Sequence, residues 1–257
     1  MTFESKNEVI YCIGDSHVSL FTGLNTIAPY WPSKARSILP QFSALHIGPV
    51  LAYNLVEKNS STGFYDKISE ILAKNIPPSS WVLLSSGEID CRAHLIKQAL
   101  RNNLSFHEVA RICVDRYFKG IQQLLDTGHK LIIYNAIPST RKNKPNTAFP
   151  SYGDCKERNE MTKFFNKFCQ IECKKRNLYF LSTFNLFINK NGLTRRKFYM
   201  DRIHLSTKAL IPTMNALTST LDGFIFDNPR NELYFKGTDM GIYKKLISNL
   251  IFKSKAK

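Results

Sequence analysis

Short apolar runs recur along the chain with amphipathic stretches between them, and this rhythm sets the expected architecture. The runs Val9–Ile13, Phe42–Ile47, Trp81–Ser85, Leu131–Ala136 and Leu178–Leu181 are bounded by polar residues, Gly or Pro. A strand with one face in water alternates apolar and polar residues, whereas these runs read as strands buried on both faces. Between them the spacing becomes helical. Phe64, Ile68, Ile71 and Leu72 form one such set. Val109, Ile112, Cys113, Ile121, Leu124 and Leu125 form another, behind a Ser105-x-x-Glu108 capping box. Met161, Phe164, Phe165, Phe168 and Ile171 mark a further helix. Ser206 is placed to cap a helix running to Leu221, in which Pro212 is an irregularity.

Strand-helix alternation predicts an α/β fold, a three-layer sandwich with a central, mainly parallel sheet of flavodoxin-like type. Sites in such sheets form beyond the carboxyl ends of the strands. Gly14–Ser16, Gly48, Gly87–Asp90 and Asn135 all fall there. Beyond Gly223 the pattern changes, which divides the chain into a domain over 1–223 and a basic appendage over 224–257. In the appendage Tyr243, Leu246, Ile247, Leu250 and Ile251 recur at helical spacing among Lys244, Lys245, Lys253, Lys255 and Lys257. Such a stripe suits docking on the domain or peripheral contact with an anionic membrane surface.

Composition narrows the classes. With 257 residues, 43% hydrophobic and 12% aromatic, the chain can bury a full core and is no disordered binder. Six scattered cysteines without a CxxC pair read as reduced, apolar fillers and not as a zinc site. Glu4, Lys6 and Glu8 precede the first strand, and no apolar run reaches membrane-spanning length. The expectation is a cytoplasmic protein without a signal peptide. The net charge of +16 gathers at Arg141–Lys144, Lys174–Arg176, Arg195–Lys197 and from Lys244 onward. That field attracts anions generally. No zinc-finger spacing, helix-turn-helix pattern or glycine-aromatic RNA signature accompanies it, so no dedicated nucleic-acid binding is expected.

The chemistry concentrates in two motifs. Gly14-Asp15-Ser16-His17 follows the first strand directly, and Asp201-Arg202-Ile203-His204 lies far downstream. A serine hydroxyl is a weak nucleophile until a base takes its proton, and a carboxylate on the far ring nitrogen fixes the base's tautomer. An Asp and a His three residues apart offer both contacts from one loop.

With these motifs the chain resembles the SGNH (GDSL-type) hydrolases. The first family block matches Gly14-Asp15-Ser16, the second Gly48, and the last Asp201 to His204. The third, usually Gly-x-Asn-Asp, aligns with Gly87-Glu88-Ile89-Asp90. The resemblance implies Ser16 as nucleophile, His204 as base, Asp201 as its orienting acid, and an oxyanion hole from the amides of Ser16 and Gly48. Ile89 departs from the pattern, because its side chain cannot donate where the family has asparagine. Arg92, His94 or Asn135 are the replacement donors considered, with Arg92 and Asn135 favoured. Asp15, His17, Glu88, Asp90 and Arg92 form the expected pocket. Glu88 and Arg92, at i and i+4, read as a helix-surface ion pair. Alternatively Asp90 and Arg92 order the pocket or bind an acyl donor.

The implied activity is that of a serine esterase or O-acyltransferase acting on acetyl esters of a carbohydrate or another acylated small molecule. Hydrolysis needs no cofactor, and transfer would take acetyl-CoA as donor. The segment after Gly87 is also similar to SGNH-like proteins associated with bacterial surface-polysaccharide synthesis. Two alternatives stand beside this one. Asp15 and His17 also resemble the first metal ligands of calcineurin-like metallophosphoesterases. The later Gly-Asn-His and Gly-His-x-His segments of that family are missing, so no metal is expected. A degenerate, glycan-binding SGNH-like protein is the other, on account of Ile89.

Overall fold

The computed structural model describes residues 9–141 and 150–221. The appendage over 224–257, its amphipathic stripe and part of the Arg141–Lys144 cluster lie outside the described residues.

Five strands form one parallel sheet: β1 (Ile10–Gly14), β2 (Phe42–His46), β3 (Trp81–Ser85), β4 (Lys130–Tyr134) and β5 (Tyr179–Leu181), in the order β2-β1-β3-β4-β5. This is the flavodoxin-like order, and the fold meets the three-layer α/β expectation. The chain leaves β1 toward β2 and then returns to build β3 on the other side. The carboxyl ends of β1 and β3 are therefore the switch point of the sheet, where sites in such folds form. Gly14 stands in register with His46 and with Ser85. A Cβ on Gly14 would lie 1.9 Å from the Ser85 carbonyl oxygen, so only glycine lets the two strand ends approach this closely.

Alternating residues of the sheet feed two cores. Ile13, Val82, Leu84, Leu131 and Ile133 face α1 (Phe64–Lys74), α2 (Leu95–Asn102), α3 (Phe106–Leu125) and α4 (Cys155–Lys175). Cys12, Leu83, Ile132 and Tyr134 face α5 (Leu210–Thr220) and the 3-10 turn Ser16–Thr22. The Ser105 capping box forms as the spacing predicts, with the serine oxygen accepting from the Glu108 amide. A second box, Asp154 with Glu157, opens α4.

Three local readings change. β4 ends at Tyr134, two residues before Ala136, although the Asn135 amide still donates to Leu181. Ser206 does not cap with its side chain, and a 3-10 turn, Thr207–Ala209, leads into α5. Pro212 then falls in the first turn of α5, where a missing amide hydrogen loses no intrahelical bond, so it fits the helix. Two elements not expected from the sequence follow β3, a π-helical turn at Asp90–His94 and the short amphipathic α2, whose Leu95, Ile96 and Ala99 are buried.

All six cysteines are buried and unbridged. Among the described residues no helix is long and apolar enough to cross a membrane.

Candidate active site

Each side chain of the site is placed by a strand end or by a loop pinned to one. After Gly14 the Asp15 amide still donates to Ser85, continuing the strand pairing for one residue. The Asp15 carboxylate then accepts the His17 amide at 3.0 Å and caps the 3-10 turn. Ser16 is the first residue of that turn and stays partly exposed while its neighbours are buried.

The second half arrives from the far end of the chain. Asp201 Oδ1 accepts the amides of Ile203 and His204, each at 2.7 Å, so the Asp-x-x-His turn folds around its own carboxylate. A bridge between Tyr199 and Leu205 closes the loop, and the Tyr199 hydroxyl donates to the Pro138 carbonyl beyond β4. Held this way, His204 Nε2 lies 2.8 Å from Ser16 Oγ, and His204 Nδ1 lies 2.6 Å from Asp201 Oδ2. Partial burial works against charge on Asp201. The hydrogen bonds from the His204 ring and the two amides outweigh it and hold the carboxyl well below its ordinary range. A hydroxyl, a base and an acid thus stand in line within hydrogen-bonding distance.

Beside this relay lies a second charged array. Arg92 Nε donates to Glu88 Oε1 at 2.7 Å, and Glu88 Oε2 lies 3.5 Å from His17 Nε2. The His17 and His204 rings are 5.4 Å apart. Glu88 and Arg92 do pair, but both are buried, which corrects the helix-surface reading. The pair forms inward in the segment that follows the fully buried β3, with Glu88 ahead of the π-helical turn Asp90–His94 and Arg92 within it. Burial pushes the Glu88 carboxyl up, yet Arg92 and His17 dominate and bring it down to about 2. Burial likewise opposes charge on His17, but Asp15 and Glu88 prevail and its pKa is raised. Asp15 is raised by burial, with one carboxylate oxygen unpartnered among the described residues.

The remaining predicted residues go elsewhere. Asp90 accepts the amides of Ala52 at 2.8 Å and Tyr53 at 3.2 Å, tying down the loop after β2, and burial lifts it to about 6. It orders structure and lines a separate, mostly apolar cavity of about 230 Å³ beside Leu51, His94 and Leu95. Arg92 and Asn135, expected as side-chain oxyanion donors, each spend donor nitrogens on backbone carbonyls. Arg92 Nη1 donates to Pro150 at 2.5 Å, and Asn135 Nδ2 donates to Ala136 at 2.7 Å. Asn135 Oδ1 meanwhile holds the Thr183 hydroxyl. His94 is exposed. Gly48 has φ +98°, and a Cβ there would meet nothing closer than Lys67 Nζ at 3.8 Å, so glycine is required by conformation and not by space.

Two residues escaped the motifs. His46, at the end of β2, donates from Nδ1 to the Ala28 carbonyl, 2.7 Å away, and packs at 4.6 Å against the ring of Tyr30. Tyr30 is 62% exposed and lies beside Gly48. Only its sheet-edge bridge to His46 brings it there, and no local spacing signals that. For a metal, Asp15 Oδ2 and His17 Nδ1 are buried without partners among the described residues, yet they find no third ligand. Among the described residues no three His, Cys, Asp or Glu side chains gather as ligands.

No protein-family model and no curated protein matches the chain. Solved structures do. A Streptococcus pneumonia protein provisionally described as a platelet activating factor superposes with a TM-score of 0.50 at 14% identity, covering 84% of this chain and 85% of its own. A provisionally described GDSL-like lipase from Parabacteroides merdae gives 0.49 at 14%, covering 84% and 95%. Est24, a carbohydrate acetylesterase from Sinorhizobium meliloti, gives 0.48 at 16%, covering 82% and 97%. At such identities the likeness is one of fold.

Proposed function

We propose that this chain is a serine esterase or O-acyltransferase acting on acyl esters, acetyl esters of a carbohydrate first among them, through an acyl-Ser16 intermediate. The observation that carries this reading is the relay Ser16–His204–Asp201, at 2.8 and 2.6 Å, set at the carboxyl edge of the sheet. Ser16 Oγ adds to the ester carbonyl while its proton passes to His204 Nε2. The carbonyl oxygen takes the negative charge. Collapse of this intermediate breaks the ester C–O bond, and His204 returns the proton to the departing alkoxide. Water, or an acceptor hydroxyl, then attacks the acyl-serine by the same steps. Asp201 stabilises the imidazolium that forms twice in this cycle.

Hydrolysis needs no cofactor, whereas transfer takes an acyl donor such as acetyl-CoA. Tyr30 supports a sugar substrate, since an exposed ring fixed against His46 beside Gly48 offers a flat face to the C–H side of a sugar. Six unbridged cysteines fit a reducing compartment.

The test uses the purified chain with p-nitrophenyl acetate and a phosphonate probe, followed by intact mass. One probe adduct is expected, absent in Ser16→Ala with the melting temperature preserved. Labelling that survives Ser16→Ala would point to another nucleophile. With an acetylated sugar, Tyr30→Ala should raise KM while leaving p-nitrophenyl acetate unaffected; equal KM values would remove the sugar subsite.

A further inference from the structure

Resting on the serine-esterase reading above, we propose that Lys67 is a positioning residue for the oxyanion: its ammonium holds and polarises the Ile47–Gly48 peptide, whose N–H faces the charge formed on the substrate. Ile89 offers no side-chain donor, so stabilisation falls to backbone amides. Lys67 Nζ donates to the Ile47 carbonyl at 2.9 Å and to the Thr62 carbonyl at 3.2 Å. The Ile47 carbonyl and the Gly48 amide belong to one peptide unit, so the cation touches the back of the group whose front is the donor.

The peptide plane is reversed, and this decides where its N–H points. β1 and β2 pair in parallel up to the Ile47 amide, which donates to Gly14 at 2.9 Å. Had the ladder continued, the Ile47 carbonyl would face the Ser16 amide and the Gly48 N–H would face away from β1. Instead the carbonyl turns to Lys67, and φ +98° at Gly48 is the backbone mark of that reversal. The peptide is trans, so its carbonyl and N–H point opposite ways. The Gly48 N–H is thereby turned to the side of β1, where Ser16 begins its 3-10 turn. Among the described residues neither the Gly48 amide nor the Ser16 amide donates to any acceptor. Two unpaired amides on adjacent strand ends leave room for one substrate oxygen between them.

Helix α1 holds the lysine there. Phe64, Ile68, Ile71 and Leu72 bury its inner face, and Lys67 stands between the first two. The lysine stem runs along Gly63, with Cε 3.5 Å from where a Cβ would stand on that glycine. Among the described residues the ammonium meets neutral carbonyls and no carboxylate, so its charge is not cancelled locally. A hydrogen bond accepted by a carbonyl draws electron density from the amide nitrogen and strengthens its N–H as a donor. The ammonium also acts through space: about 8 Å from the oxyanion, at an effective dielectric of about 20, a unit charge is worth about 30-fold in rate. Because the oxyanion exists only after Ser16 has added, the gain falls on kcat and not on KM.

Kinetics with p-nitrophenyl acetate on the full chain test this, with Ser16→Ala as control. Lys67→Met should lower kcat about 30-fold at little changed KM. Lys67→Cys separates charge from attachment, since all six native cysteines are buried and the added one, at a partly exposed position, is the thiol that reacts. Alkylation with 2-bromoethylamine rebuilds a cation of lysine's reach and should restore most of kcat. Alkylation with 2-bromoethanol gives a neutral hydroxyl of the same reach and should leave most of the loss. This pair decides the matter if the methionine variant does not fold. Without turnover, the Gly48 amide proton should move downfield in the phosphonate adduct, and less far in Lys67→Met. Wild-type kcat in Lys67→Met, with Ser16→Ala inactive, overturns the assignment and leaves the esterase reading intact. Equal recovery by the two alkylated forms overturns it as well, because the lysine would then only tie the loop to α1. A loss confined to KM does the same. Absence of both turnover and probe labelling in the wild type overturns the esterase reading, and the role of Lys67 with it.

Discussion

Two acid–imidazole pairs stand side by side in this molecule, and their environments separate what each can do. Asp201 and His204 meet at 2.6 Å in a loop where the aspartate side chain is 47% exposed. Glu88 and His17 meet at 3.5 Å with both side chains 4% exposed. The first pair is tight, reaches water, and hands its imidazole to Ser16, which suits proton exchange during turnover. The second is buried and flanked by Arg92 and Asp15, so its charges are fixed by neighbours and exchange poorly. One pair is built to move a proton and the other to hold one. The same two functional groups therefore acquire different chemistry from solvent access and from the charge beside them.

The sharpest break is in the first pair. His204→Ala should cost about 10⁶-fold in kcat and Asp201→Ala about 10⁴-fold, since the base transfers the proton while the acid only orients and stabilises it. Steady-state kinetics on p-nitrophenyl acetate will give both values. Equal losses would mean that Asp201 does more than orient, and no loss in His204→Ala would place the base elsewhere.

The second pair is best tested through stability, because its charges are buried. Glu88 lies near 2 in the fold against an ordinary 4.5. Its contribution is present above pH 4.5 and lost as pH falls toward 2, about 3 kcal/mol in all. Asp90, two residues on, has the opposite sign, because burial raises it to about 6. The native state then binds the proton more tightly than the unfolded chain. Stability is highest below the ordinary aspartate range and declines by about 3 kcal/mol as pH rises through 6. His17, raised from 6.5, likewise contributes stability that is lost as pH rises through its folded value. Thermal melts from pH 3 to 8 should pass through a maximum between these windows. Glu88→Gln should flatten the acid limb and Asp90→Asn the limb between pH 4 and 6. A stability that climbs steadily to pH 8 would contradict the placement of Asp90.

The smallest effect expected is none. Because no three potential metal ligands gather at Asp15 and His17 among the described residues, EDTA should leave turnover unchanged and manganese should not raise it. Loss on chelation that manganese restores would shift the chemistry to a metal at these residues.

Much of the frame was legible in the sequence because its causes are local. Uniform apolar runs mark strands covered on both faces, and Trp81–Ser85 appears where its residues place it. Ser105 and Glu108 settle a helix start through contacts three residues apart. Gly14-Asp15-Ser16 and Asp201 to His204 each specify a turn by themselves, since both turns close on the carboxylate within the motif. What those motifs could not give was distance across the fold. Ser16 meets His204 across 188 residues only because the strand order brings the end of β1 under the loop before α5.

The same limit explains the readings that changed. From spacing alone Glu88 and Arg92 look like a surface pair, because helical periodicity says which residues share a face but not which face is covered. The tertiary structure covers it, and burial turns a weak contact into a fixed charge. Arg92 and Asn135 are plausible donors by type and position, and only the folded chain shows that each also donates to a backbone carbonyl, of Pro150 and of Ala136. Local chemistry wrote the elements and the turns of this protein. Packing alone decided which charges are buried and which donors remain open, because burial and partnership belong to pairs of segments that the sequence keeps far apart.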